Sequence, residues 1–153
     1  MFTGHWYNVP QRAVAWQRTY WSAAPSRMRG ACPAADHIAR WNGTTWSTVG
    51  EPEAISGVVN AIVVDGAKVY VGGLFTKAGN NPVADYIAVW DGTAWSGLLS
   101  GGTTGLNGGV RALALQGPDL LAGGNFTNAG GNRLADFIAR YGFFRVHLPL
   151  VTR

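Results

Sequence analysis

One tract of this chain is written almost three times, and that repetition limits the possible folds more than any other feature. "ADHIARWNGTTW" starts at Ala35, "ADYIAVWDGTAW" at Ala84 and "ADFIARYG" at Ala135. Upstream, "GGLFTKAGN" at Gly72 matches "GGNFTNAGG" at Gly123, and "VNAI" at Val59 matches "VRAL" at Val110. Asp36, Asp85 and Asp136 therefore stand 49 and then 51 residues apart. A period of that size belongs to repeat architectures, in which each unit is one supersecondary element that cannot bury its own faces alone.

Within one period the residues read as strands. Val58 to Val64 is a β-branched run ended by Asp65-Gly66, and Lys68 to Val71 resumes the apolar pattern, which makes a hairpin. Gly72-Gly73 follows, where missing side chains permit close backbone approach, and Phe75 is the one large anchor before the loop at Gly79 to Pro82. Tyr86 to Trp90 is a third strand, Asp91-Gly92 a tight turn, and Trp95 to Leu99 a fourth strand. No segment keeps helical periodicity over 11 or more residues, which argues against an α-solenoid. Four short antiparallel strands per repeat of about 50 residues describe a propeller blade, so the expected class is all-β. Counted from Ala35 the chain holds roughly two such blades, an incomplete propeller. The expected divisions are an irregular segment over 1–34, repeats over 35–142 and a tail over 143–153.

A hydrophobic strand ending in Gly-Gly, then an aromatic-Asp-Gly turn, then a tryptophan, resembles the kelch-type β-propeller repeat, including the central domain of the galactose oxidase group. Val69 to Gly73, Trp90-Asp91-Gly92 and Trp95 carry the resemblance in one unit. Trp41-Asn42-Gly43 with Trp46, and Gly123-Gly124 with Tyr141-Gly142, carry it in the others. The spacing from the aromatic to the tryptophan is shorter than in kelch repeats, and "FTxAG" is an added tract. What the resemblance implies is a binding or structural module. Its copper site does not carry over, because no set of Cys, Tyr and His here matches it.

Composition agrees with a glycine-turned, tryptophan-packed β protein. The chain is 47% hydrophobic and only 13% charged, with 22 glycines and 7 tryptophans. The net charge of +4 is not spread over the repeats. Arg12, Arg18, Arg27 and Arg29 lie before residue 35 with no acid among them, whereas the remainder balances eight bases against eight acids. No basic face for nucleic acid is expected on the repeats. No run of about 18 apolar residues is present to cross a membrane, and the N-terminus lacks the continuous apolar stretch of a secretory signal. The single cysteine, Cys32, excludes an internal disulfide. Low charge, tryptophan content and the resemblance together point to an extracellular or cell-surface location in a parent protein.

Residues 1–34 raise a separate question. If Ser uses TCN and Arg uses CGN codons, reading Thr19 to Gly30 two bases later permits Val-Leu-Val-Gly-Gly-x-Phe-Thr-Asn-Ala-Gly, comparable with Val69 to Gly79. Two readings follow: an out-of-frame translation of a preceding blade, which is preferred, or a genuine irregular arm. The chain is accordingly expected to be a remnant of a longer product, and to self-associate through uncovered blade faces and strand edges when made as written.

Chemistry is sought where the repeats differ. Asp36, Asp85 and Asp136 recur in register and are expected to be turn or cap hydrogen-bonders. Trp41, Trp46, Trp90 and Trp95 are expected to pack blades first and to offer sugar-stacking surfaces second. Glu51 and Glu53 are not repeated; lying two apart in the loop "GEPEAISG", they are expected to be solvated rather than an acid-base pair acting on a glycoside. His5, His37 and His147 show no ligand spacing, so no metal or cofactor is expected. There is no G-x-S-x-G elbow, and "GGTTGLNGG" lacks the ending of a phosphate loop. Asn42-Gly43-Thr44 and Asn125-Phe126-Thr127 fit the glycosylation sequon but belong to the repeat. No catalytic residue is assigned. The functional expectation is a non-catalytic binding or structural module with a protein or glycan partner, the alternative being a lectin or glycosidase that uses loops at the propeller mouth.

Overall fold

The computed structural model describes residues 14–16, 19–23, 37–42, 44–79, 81, 83–98, 106–129 and 136–142. These form eleven strands and no helix: β1 (Val14–Trp16), β2 (Thr19–Ala23), β3 (Ile38–Trp41), β4 (Trp46–Ser47), β5 (Val58–Asp65), β6 (Lys68–Leu74), β7 (Ile87–Trp90), β8 (Trp95–Gly97), β9 (Val110–Gln116), β10 (Asp119–Gly124) and β11 (Ile138–Tyr141). They make three antiparallel meanders, β1-β2-β3-β4, β5-β6-β7-β8 and β9-β10-β11. The first strands adjoin in series, with β5 packed against both β1 and β9. The protein is all-β, an incomplete stack of propeller-type blades.

The expected blade is present over residues 58–98, its fourth strand ending at Gly97, with Leu99 outside the described residues. Its hairpin loop is Gly66-Ala67, one residue later than the Asp65-Gly66 signal, because Asp65 still pairs with Lys68. Gly66 sits at φ 57°, the glycine-first hairpin geometry, and Gly117 repeats it at φ 59°. Asn60 and Arg111 are the extra residues of matching β-bulges. Tyr86 was expected to open the third strand but lies before it at φ 60°, with Phe137 alike at φ 64°. At each kink the third strand's first amide donates back across one residue, Ile87 to the Asp85 carbonyl (2.6 Å) and Ile138 to that of Asp136 (2.8 Å).

From Ala35 onward the strands make roughly two blades, as expected, and with β1 and β2 the described residues form sheets of four, four and three strands. Within 1–34, expected to be irregular, these two strands are regular and complete the first sheet. Tyr20, Trp21, Ser22 and Ala23 pair with Trp41, Arg40, Ala39 and Ile38, the register in which Val69 to Gly72 pair with Trp90 to Ile87. The segment as translated thus occupies the place at which the shifted frame would put its Gly-Gly strand. The tail over 143–153 lies outside the described residues.

Two apolar layers hold the second sheet. On one face Val59, Ile62, Val69, Val71, Phe75 and Trp95 meet Ile38 and Val49 from the first sheet and its outgoing loop. On the other, Tyr70 and Ile87 meet Val110, Leu113 and Leu120 of the third. Burial on both faces explains why β6 reads as a continuous apolar run rather than an alternating one. Burying Phe75 or Phe126, both nearly inaccessible, stabilises by about 1.5–3 kcal/mol each. Gly72 is needed for contact between sheets: a Cβ there would fall 2.4 Å from Val110 Cγ1. Asn60 adds a polar tie, its Nδ2 donating to the Val110 carbonyl at 2.8 Å.

A candidate ligand cleft beside the second sheet

The loop leaving the first sheet, Gly50 to Ala54, does not run straight into β5. It folds against the long connection between β6 and β7, where the Ser56 amide donates to the Lys77 carbonyl (3.1 Å) and the Gly79 amide to that of Ala54 (2.6 Å). Ile55 and Ala78 form the bridge that Leu106 and Ala129 repeat in the next unit. On the other side, the Asp91 carboxylate closes the β7–β8 turn. Its Oδ1 accepts from the amides of Thr93 and Ala94 and from the Thr93 hydroxyl, all at 2.8 Å. Those bonds, led by the Ala94 amide, favour the ionised form and lower its pKa to about 2.

Between these walls lies a cleft of about 580 Å³. Its rim carries Glu51, Glu53, Lys77 and Thr93, all exposed, with half-buried Asn81 and Trp90 behind them. Trp95 forms the floor; it is 7% exposed, and its Nε1 donates to the Val49 carbonyl at 3.0 Å. The two rings pack at 5.4 Å between centroids, tilted by 49°. Trp41 and Trp46 repeat that pair at 5.3 Å and 44°. Packing is thus the shared role of these tryptophans, and access to a cleft is shown for Trp90. Glu53 holds φ 57°, uncommon for a side-chain-bearing residue.

Of the recurring aspartates, Asp85 and Asp136 do not line the cleft. The expectation that their side chains cap turns is corrected for Asp85. Its carbonyl makes the turn, while the carboxylate keeps a buried Oδ1 without a hydrogen-bond partner. Desolvation raises its pKa. Side-chain turn closure falls instead to Asp91 and to Asn42, whose Oδ1 accepts from Thr44 and Thr45. Asp136 is exposed, and Asp36 lies outside the described residues. His37 is half-buried, whereas His5, His147 and Cys32 fall outside the described residues. Among the described residues no group of three or more His, Cys, Asp or Glu is placed to hold a metal. No helix among them is long and apolar enough to cross a membrane.

Glu51 and Glu53 are exposed, as a solvated loop requires, but the fold gathers around them three groups that sequence reasoning passed over: Lys77, Asn81 and Thr93. Lys77 had a signal, since it stands where the matching tract has Asn128. Asn81 and Thr93 had none, because their places follow from the paths of the β6–β7 connection and of the β7–β8 turn.

No protein-family model matches the chain, and no curated protein matches it significantly. Among solved structures, the crystal structure of the computationally designed Ika4 protein aligns with 86% of this chain at 15% identity and a TM-score of 0.48. The chain spans 64% of that protein's length, and the likeness is too slight to bear on fold or function.

Proposed function

We propose that this chain is a section of a kelch-like β-propeller that serves as a non-catalytic binding or structural module of a secreted or cell-surface protein. The observation that carries the structural part is the outer face of the third sheet. Ile138 is 70% exposed, whereas Ile87, its counterpart in the second sheet, is 1% exposed beneath the third. Phe137 beside it is also exposed, and Ala112 and Ala114 extend the bare surface where Ala61 and Val63 of the second sheet are covered or half-covered. An apolar sheet face shaped like one that already receives a sheet suits a further blade-like neighbour. The recurring Gly-Gly strand and aromatic turn support the kelch-like reading, and low charge with high tryptophan content supports the extracellular one.

Sedimentation velocity over a range of concentrations tests the reading. The chain is expected to associate reversibly, and Ile138→Lys is expected to shift it toward monomer without loss of thermal stability. A chain that stays monomeric at high concentration, with Ile138 in water, would count against the structural role.

A further inference from the structure

We propose that the cleft between the Gly50–Ala54 loop and the β7–β8 turn binds a neutral sugar residue of a glycan, with Trp90 as the surface against which it stacks. This rests on the reading of the chain as a binding module and names the ligand class of its cleft. A volume of about 580 Å³ falls within the range of about 300–1,000 Å³ usual for small-molecule sites. The lining then selects the chemistry. An anion would face the carboxylates of Glu51 and Glu53, and a cation would face the ammonium of Lys77. These three charges form no ion pair with one another, so each remains available to a ligand. A neutral polyol uses both signs, because each hydroxyl donates to a carboxylate or accepts from an ammonium or amide. Asn81 and Thr93 extend that mixed set. The C–H face of a pyranose ring supplies the apolar surface that a half-buried indole takes up.

The charged lining is not part of the repeat: the tryptophan pair recurs at Trp41 and Trp46, whereas the third unit has "SGGTTGLNGG" in place of the acidic loop and Asn128 in place of Lys77. Gly50 lets the loop wall come close to the indoles: a Cβ there would lie 3.0 Å from Trp95 Nε1 and 3.2 Å from Trp90 Cζ3. The cleft also lies beside β8, the outermost strand of its sheet, whereas the expectation placed glycan-binding loops at the propeller mouth.

Saturation-transfer NMR and calorimetry on the full chain test this with maltotriose, cellotriose, N-acetylchitotriose and mannotriose. Tetramethylammonium and inorganic phosphate serve as the cationic and anionic probes. At least one trisaccharide is expected to bind with a Kd of about 1 mM or tighter. Trp90→Leu, which keeps apolar bulk against the core, is expected to weaken binding by about tenfold or more, and Lys77→Ala and Glu53→Gln by about threefold each. The last two positions are exposed, so those variants remain informative if Trp90→Leu fails to fold. Failure of all four sugars at about 10 mM overturns the proposal, as does binding by the charged probes only, or sugar affinity unchanged in the folded variants. Absence of sugar binding leaves the association measured by sedimentation unaffected. Cleavage of a bound trisaccharide upholds the cleft and overturns the non-catalytic reading.

Discussion

The second and third sheets are near copies in sequence and register, yet they meet different surroundings. Val59, Ile62, Val69, Val71, Phe75 and Ala88 of the second have counterparts in Val110, Leu113, Leu120, Ala122, Phe126 and Ala139 of the third, and all of these are buried. They face the preceding sheet, which each of the two possesses. The opposite faces diverge: Tyr70 and Ile87 are buried, while Leu121 is half-buried and Ile138 exposed. A side chain's energetic weight in such a stack is therefore set by the neighbour it receives, and identical residues differ when only one is covered.

The largest expected contrast is between Ile87→Ala and Ile138→Ala. The first empties a filled position between two sheets and is expected to cost about 2–5 kcal/mol; the second removes a side chain already in water and is expected to change stability by less than about 0.5 kcal/mol. Urea unfolding of both variants at a protein concentration where the parent is monomeric checks this. Equal losses would mean that the third sheet's outer face is covered in solution.

A smaller contrast is expected at the glycines. Gly72→Ala drives a methyl group into Val110 and Leu113, an overpacking cost of about 1–3 kcal/mol. At Gly123 the nearest obstacle to a Cβ is the Phe137 carbonyl oxygen at 3.8 Å. Gly123→Ala is therefore expected to be neutral, or to stabilise by about 0.4–1 kcal/mol through the unfolded chain. Thermal midpoints of the two single variants separate these outcomes.

The smallest effect is one of pH and belongs to the second sheet alone. Asp91 caps its turn, whereas the aligned position in the third sheet is Gly142. The folded-state pKa of Asp91 is depressed to about 2 from an ordinary 3.8. Its contribution is thus present above the unfolded value and is lost as pH falls from about 4 through about 2. Asp91→Asn retains an oxygen acceptor and is expected to flatten that part of the stability profile while leaving neutral-pH stability nearly unchanged. Urea midpoints between pH 5 and pH 2 show whether the acid-sensitive step disappears.

Much of this was legible in the residues themselves. The 49- and 51-residue spacings, the Gly-Gly strand and the aromatic turn specified antiparallel blades and most strand positions in the second unit. Two things were missed for physical reasons. Thr19 to Ala23 carries no repeat signature, yet its backbone fills the open edge beside β3, and strand pairing uses main-chain groups that any side chain leaves available. Tyr86 and Phe137 sit on beginnings of otherwise ordinary β runs, and only hydrogen bonds with Phe75, Phe126 and the Gly-Gly strands hold them at positive φ.

The amino-acid sequence by itself determined local matters: alternation and β-branching for strands, glycine where a turn needs positive φ, and a repeated anchor that assigns equivalent places to Phe75 and Phe126. Tertiary structure alone decided which of two equivalent isoleucines is buried, because burial depends on whether another sheet lies above. It also decided that Glu51, Lys77 and Trp90, up to 39 positions apart in the chain, line one cleft. Their meeting depends on how the β6–β7 connection folds back over the incoming loop, a path held by main-chain hydrogen bonds that no side-chain pattern encodes.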